Sequence, residues 1–271
     1  MSRLVLQAFV FIAFSLFTFA QSAPADNSEI GTAVRRDPTL LDVLTRVVTT
    51  AGGLPNFAAV HDITETGDIR FYWSEQAKGP VTVRLLGGNH FRMEANLPEG
   101  KHVWVVKDGV GSSKDPDGSL NAMSRDNALN LGNLTFPIAN FAGALADSAT
   151  DVALIGIENQ GGRSVYRLRV KGNLGTADPK TGPSLVTKDL LIDALSFDIR
   201  TVEDRPFTTY ELGGGPSDKP SRVVEFSDFR VVNGLRIPFQ ITTKLMGQPA
   251  LSIQLTNVTF NTNLRDQDFE N

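Results

Sequence analysis

No cysteine occurs among the 271 residues of the chain. This absence excludes structural disulfides, thiolate metal sites and a cysteine nucleophile. It also excludes a lipid-modified N-terminal cysteine, so we expect no lipoprotein anchor of that kind. A cysteine-free exported domain needs a large apolar core instead, and the chain is long enough to form one.

Motifs of catalysis and metal binding are scarce. The three histidines, His61, His90 and His102, have no carboxylate at a spacing typical of a metal site. The sequence has no G-x-S-x-G elbow, H-E-x-x-H helix, P-loop or dinucleotide-binding glycine pattern. We therefore expect no metal, no cofactor and no enzyme activity, although the 30 acidic residues leave open a hydrolase with an unrecognised carboxylate pair. A net charge of -4 without a basic block predicts no nucleic-acid partner.

The N-terminus has the composition of an export signal. Arg3 precedes the apolar run Leu4–Phe19, and small residues that fit a cleavage site follow it. The run of about 16 residues is shorter than the roughly 20 that span a bilayer as a helix. We therefore predict a signal peptide over residues 1–22, a flexible leader over residues 23–36, and a mature chain in an extracytoplasmic space without a transmembrane segment.

The C-terminal third predicts consecutive antiparallel strands. In Leu235–Leu245, large apolar residues occupy nearly every odd position and polar residues occupy the even ones, a period of two that is typical of a strand with one buried face. Asn233-Gly234 favours a hairpin turn just before this strand. The alternation returns in Leu251–Leu255 and also occurs at Phe91–Ala95.

Two segments have helical periodicity. The first begins at Asp37-Pro38 and stops at Gly52-Gly53, and the second follows Pro137. The apolar positions of these lid helices predict residues that face the sheet: Leu41, Leu44, Val48, Ile138, Phe141 and Leu145. The order of helix, strands, helices and strands predicts an α+β fold, with one domain over residues 37–271 in which helices cover the concave face of a single curved antiparallel β-sheet.

The apolar strand faces leave two interpretations open. Alternation is what any sheet needs for its core, so a filled core explains it. The two helical segments are, however, short for the task of covering about ten strands, and uncovered apolar surface of that extent binds apolar ligands. The residues expected to line such a cavity are Phe91, Met93, Ile237, Phe239, Ile241, Ile253 and Leu255.

Several stretches carry a family pattern. They are Phe226–Ile241, Leu251–Asn261 and Asp268-Phe269 near the C-terminus, and Gly88–Glu94 after the first strands. Together they resemble the periplasmic outer-membrane lipoprotein-sorting family, which has the LolA/LolB-like fold. The resemblance implies an incomplete β-barrel whose concave side is apolar and covered by helices.

The function implied by this resemblance is transport. In the namesake carriers, the cavity shields the acyl chains of lipoproteins in transit through the periplasm. We therefore expect a non-enzymatic carrier of a lipid or an acylated protein, with envelope membrane proteins as further partners. The alternative is an envelope interaction or sensor module that has a filled core and no ligand. The chain is longer than the compact carriers, with extra loops at residues 108–120 and 213–220, and no residue is assigned to the family's functional arginine.

Overall fold

The computed structural model describes residues 38–72, 77–123, 128, 131, 134, 135, 137, 150–173, 185–205 and 222–271. The predicted signal peptide, the leader and the loop at residues 213–220 lie outside these residues. Three of the predicted lid residues, Ile138, Phe141 and Leu145, lie outside them as well.

Among the described residues, two helices precede the sheet. Helix α1 spans Pro38–Thr50 and helix α2 spans Gly53–Ala58. The apolar residues that recur at helical spacing along one side of α1 are buried: Leu40, Val43, Leu44 and Val47. Gly52 separates the two helices with a φ of 122°, a conformation that favours glycine because it has no Cβ. The helix thus ends where the glycine pair predicts, but Gly53 begins a short second helix that periodicity does not reveal.

Thirteen strands follow the helices, and one sheet contains all of them. Their bounds are β1 (Asp62–Phe71), β2 (Lys78–Leu86), β3 (His90–Leu97), β4 (Gly100–Lys107), β5 (Val110–Lys114), β6 (Leu120–Ala122), β7 (Asp151–Gln160), β8 (Arg163–Asn173), β9 (Leu185–Asp193), β10 (Ile199–Arg205), β11 (Arg222–Val232), β12 (Leu235–Leu245) and β13 (Gln248–Phe260).

The sheet is antiparallel and open. Its strand order is β6-β5-β4-β3-β2-β1-β13-β12-β11-β10-β9-β8-β7. The first strand, β1, and the last strand, β13, pair with each other in the middle of the sheet. Within the described residues, the edge strands β6 and β7 do not pair with each other. The result is an incomplete barrel with few helices, which confirms the predicted fold class.

Positive φ angles lie at the turns of the C-terminal hairpins. Asn233 and Gly234, with φ values of 48° and 81°, join β11 to β12 as predicted. Met246 and Gly247, with φ values of 49° and 81°, join β12 to β13 in the same manner.

The prediction of an irregular loop at residues 108–120 is wrong. Asp108 and Gly109 have φ values of 53° and 79° and form a tight turn, after which β5 pairs with β4. Strand β6 then pairs with β5. Periodicity does not predict these short strands, because Gly111-Ser112-Ser113 does not alternate between apolar and polar residues. Their backbone hydrogen bonds to neighbouring strands define them.

The main core lies on the concave face of the sheet. Cross-strand pairs place apolar side chains next to each other: Ile241 pairs with Ile253, Ile253 with Ile69, and Val83 with Met93. These residues form one continuous hydrophobic cluster with the buried side of α1. The inward-facing apolar residues of these strands and those of α1 therefore pack in the same cluster.

A second group of residues covers the concave face from the chain between β6 and β7. We call Ala128, Leu131, Leu134, Thr135 and Pro137 the cover segment. Ala128 and Leu134 are buried in the main cluster, and Leu131 packs against it. Helix α1 and the cover segment thus cover the concave face, as the predicted fold class requires.

Candidate ligand-binding site

The seven predicted cavity residues lie in the main hydrophobic cluster. They come from β3 (Phe91 and Met93), β12 (Ile237, Phe239 and Ile241) and β13 (Ile253 and Leu255). None is more than 4% exposed, and Ile237, Ile241 and Ile253 are 0% exposed. These side chains are therefore buried in this conformation, beneath the elements that cover the sheet.

The three predicted lid residues on α1 differ in burial. Leu44 is buried in the cluster, and Val48 is half-buried. Leu41 is 46% exposed, which corrects its placement against the sheet. Each residue of a helix is rotated by about 100° from the one before it, so Leu41 points away from the stripe formed by Leu40 and Leu44.

Glu65 is a carboxyl group within the apolar wall. It lies on β1, and its cross-strand neighbours are Val83 on β2 and Val258 on β13, both in the main cluster. The residue is 0% exposed, and neither carboxyl oxygen has a hydrogen-bond partner. Burial raises the pKa of Glu65 from 4.5 to about 7, and the nearby hydroxyl of Thr135 offsets that rise only in part.

Thr135 is the polar residue of the cover segment that lies near this carboxyl. It is also 0% exposed, and its hydroxyl makes no hydrogen bond. A sheet residue and a cover residue therefore place two unsatisfied polar groups together inside an apolar layer. Buried polar groups without partners are rare because each costs about 1–3 kcal/mol.

The sequence of β1 itself contains a signal for Glu65. Ile63, Ile69 and Phe71 share one face of β1 and are buried. Glu65 occupies an odd position in the same strand, so alternation alone would place it on the apolar face. A charged residue in phase with an apolar face is the pattern that indicates a buried polar site.

A cleft opens near the end of α1. It has a volume of about 310 Å³ that includes open solvent, and it lies between α1, the turn before β10, and the β11–β12 hairpin. The residues that line it are Val47, Thr50, Ala51, Pro137, Phe197, Asp198, Ile199, Phe229, Arg236 and Pro238. The cleft therefore adjoins α1, Pro137 of the cover segment, and the sheet.

An ion pair marks the polar side of this cleft. Arg236 donates from Nε and Nη2 to the two carboxylate oxygens of Asp198, at 2.6 and 3.0 Å. The hydrogen bonds to Asp198 raise the pKa of Arg236. Because both charges are paired, this arrangement is suited to holding elements together and not to proton transfer.

A second group of buried charges lies on strands β7 to β10. Arg167 donates to Glu158, Asp189 and Glu203, at 2.5, 2.9 and 2.6 Å. These hydrogen bonds, that to Glu158 above all, raise the pKa of Arg167. Asp189 also accepts two hydrogen bonds from Arg169. The network is internally satisfied, so it fits a structural role.

No group of three or more potential metal ligands occurs in the part of the chain that the structure describes. His90 lies 3.8 Å from Asp266, and His102 lies 3.3 Å from Glu99 and 3.4 Å from Asp115. His90 and His102 therefore contact different carboxylates.

Comparison with known proteins rests on structure alone. The sequence matches no family model, and it matches no curated protein. Two solved structures of the sorting type are similar to it. One is a domain named for outer-membrane lipoprotein sorting from Vibrio parahaemolyticus, at 10% identity and a TM-score of 0.53, over 84% of this chain and 95% of that one. The other is a LolA superfamily protein from Nitrosomonas europaea, at 13% identity and a TM-score of 0.51, over 83% of this chain and 96% of that one.

The chain has the LolA/LolB-like fold. A third structure extends the comparison: a DUF1329 family protein from Desulfovibrio piger, at 12% identity and a TM-score of 0.52, over 87% of this chain and 98% of that one. The resemblance drawn from the sequence is confirmed at the level of fold. Identities of this size do not transfer the role of any residue to this LolA-like chain. Among the described residues, no helix combines the length and apolar character needed to cross a membrane.

Proposed function

We propose that this LolA-like chain is a non-enzymatic periplasmic carrier that binds a lipid, or the acyl chains of a lipoprotein, against the concave face of its sheet. One observation carries the proposal. A single apolar cluster runs across that face from Val106 on β4 to Val152 on β7, and α1 and the cover segment are the described elements that cover it. A large apolar wall under a small movable cover is the arrangement that an acyl-chain carrier needs.

The energetics of such binding need no catalytic group. Each buried CH₂ group contributes about 0.8 kcal/mol, so an acyl chain of about twelve carbons gains roughly 9 kcal/mol before the costs of association and ordering. The seven predicted cavity residues, such as Ile241 and Phe239, are packed in this conformation. Binding would therefore exchange contacts of the cover for contacts of the ligand, and release would restore the cover.

The predicted export signal supports the proposed periplasmic setting. A periplasmic chain without a membrane-spanning segment would meet lipid or lipoprotein at one membrane and deliver it at another. One similar structure is named for outer-membrane lipoprotein sorting, which supports this cargo class. Envelope membrane proteins are the partners that we propose for loading and release.

The experiment that tests the carrier is native mass spectrometry of the mature protein purified from its own envelope, followed by lipid extraction. A stoichiometric lipid or acylated protein is the expected result. A fluorescent fatty-acid probe then tests the wall, with Phe239→Asp as the variant and Val231→Asp as its matched control, because Val231 is 67% exposed. Uptake of the probe should fall in folded Phe239→Asp and stay unchanged in Val231→Asp. Unchanged uptake by Phe239→Asp would show that Phe239 is not part of the proposed wall.

The second candidate function is an envelope interaction module with a filled core. The observation that favours it is the packing of the predicted cavity residues, none of which is more than 4% exposed. This alternative predicts a mass without ligand and no uptake of the fatty-acid probe. The same two measurements therefore separate the carrier from the interaction module.

A further inference from the structure

Glu65 differs from the other buried acids for which the structure shows side-chain contacts. Asp62, at the start of the same strand, accepts hydrogen bonds from the backbone N–H groups of Thr262 and Asn263, at 2.7 and 3.0 Å. Asp189 and Asp198 are paired with arginines. Glu65 has neither a hydrogen bond nor an ion pair among the described residues. Among the described residues, only the hydroxyl of Thr135 acts on this carboxyl, which leaves it available to a ligand.

The position of Glu65 places this group within the proposed ligand wall. Its strand β1 lies in the middle of the sheet, between β2 and β13. Leu255 of the predicted wall lies on β13, and Met93 lies one strand beyond Val83. A ligand that lies along the wall would pass over a carboxyl group partway along its length.

We propose that Glu65 and Thr135 form a polar site inside the apolar wall, which binds the hydrogen-bond donor of an amphiphile and takes an alkyl ammonium in preference to an alkyl carboxylate. This inference rests on the proposed carrier function and names a ligand class for it. An alkyl ammonium has N–H donors for the oxygens of both Glu65 and Thr135, and its charge is opposite to that of the Glu65 carboxylate. An alkyl carboxylate would instead place a second negative group next to Glu65 in an apolar setting. A hydroxyl supplies one donor without charge and ranks between the two.

Thr135 couples this site to the cover. The Thr135 hydroxyl is the group of the cover segment that lies near Glu65. A ligand that forms a hydrogen bond with the Glu65 carboxyl would therefore bind beside Thr135. Neither group has a well-formed hydrogen bond in the closed form, so the exchange replaces only the weak interaction between the Thr135 hydroxyl and the carboxyl.

The test compares three probes of equal chain length: dodecylammonium, dodecanol and dodecanoate. Each is titrated into the mature protein at pH 8, below its micelle concentration, and followed by displacement of an uncharged fluorescent alkyl probe. We expect the wild type to bind dodecylammonium at least about tenfold more tightly than dodecanoate. Glu65→Gln keeps the side-chain volume and should reduce this ratio to about twofold or less.

Two further variants separate the site from general effects of charge and fold. Glu225→Gln is the matched control, because Glu225 is 43% exposed in its pair with Lys244, and its selectivity should equal that of the wild type. Thr135→Val should lower the affinity for dodecanol more than that for dodecanoate. Equal affinities for the three probes, or a ratio that Glu65→Gln leaves unchanged, would overturn the site but leave the carrier standing. Failure of all three probes to bind would overturn both.

Discussion

Arg236 on β12 and Asp198 in the turn before β10 form a two-point ion pair, with N–O distances of 2.6 and 3.0 Å. The backbone N–H of Arg236 also donates to the carbonyl of Ala51, just beyond the end of α1, at 3.0 Å. The start of β12 is thus bonded to the β9–β10 turn on one side and to the end of α1 on the other. This connection fixes one end of the elements that cover the concave face.

Removal of Arg236 should cost more than removal of its partner. The side chain of Asp198 is 2% exposed and that of Arg236 is 31% exposed, so Arg236→Ala leaves a buried carboxylate while Asp198→Ala leaves a cation that reaches water. We expect losses in the free energy of unfolding of about 3 and 1–2 kcal/mol, measured by urea denaturation. Arg46→Ala breaks an exposed pair with Asp42 and a cation–π contact with the Phe197 ring, and should cost less than about 1.5 kcal/mol. Equal losses for Arg236→Ala and Asp198→Ala would contradict the assigned asymmetry.

Glu65 should make the stability of the protein depend on pH. Its pKa is raised from 4.5 to about 7 by burial, so the folded state keeps a proton that the unfolded state releases between these values. Stability therefore falls as pH rises from about 4.5 to about 7, by up to about 3 kcal/mol, and is level above that range.

The variant Glu65→Gln removes this dependence. At pH 8 it should be more stable than the wild type by up to about 3 kcal/mol, whereas at pH 4.5 the two should agree within about 1 kcal/mol. Urea denaturation at the two pH values measures the difference. A gap of the same size at both values would show that Glu65 does not titrate in this range.

Gly52 is irreplaceable for reasons of both conformation and space. Its φ is 122°, and a Cβ at this position would lie 2.3 Å from the carbonyl oxygen of Gly234. We expect Gly52→Ala to destabilise the protein by more than about 2 kcal/mol, because the clash is with backbone of the β11–β12 turn. Gly161→Ala is the control, since its φ of 55° is left-handed but its Cβ would meet nothing within 4 Å; a loss of about 1 kcal/mol is expected. Similar melting temperatures for the two variants would argue against the contact.

Arg167 is the shared cation of three acidic side chains. Its own side chain is 11% exposed, and that of Asp189 is 0% exposed. Arg167→Met should therefore lower the free energy of unfolding by about 3–5 kcal/mol at pH 7, because several carboxylates lose their common partner. Arg163→Met changes an arginine that is 63% exposed and 3.7 Å from Asp193, and should cost less than about 1 kcal/mol. Thermal unfolding of the two variants provides the comparison.

The sheet is largely predictable because its signals are local. Strand β12 has the bounds that alternation predicts, since one face of Leu235–Leu245 is buried and the other is wetter. The Asn233-Gly234 turn follows from the conformational freedom of its two residues. Strands β5 and β6 escape prediction because their sequences have little contrast, and pairing with β4 defines them.

The candidate site is predictable only in part. Alternation selects residues such as Ile241 and Ile253 for one face of the sheet, and the structure places them in one cluster. Whether that face holds an open cavity or a packed layer depends on how the cover sits, and no periodicity describes this. Leu41 illustrates the limit, because it is apolar but lies about 100° around the helix from Leu40, outside the buried stripe, and is exposed.

The sequence by itself determined strand directions, turn positions and the choice of apolar face, because each depends on residues next to one another in the chain. Tertiary structure alone decided that β1 pairs with β13, which places Val258 beside Glu65. It also brought Thr135 from the cover to the same carboxyl. These neighbours come from distant parts of the chain, and long-range packing, for which a single sequence carries no periodic signal, brings them together.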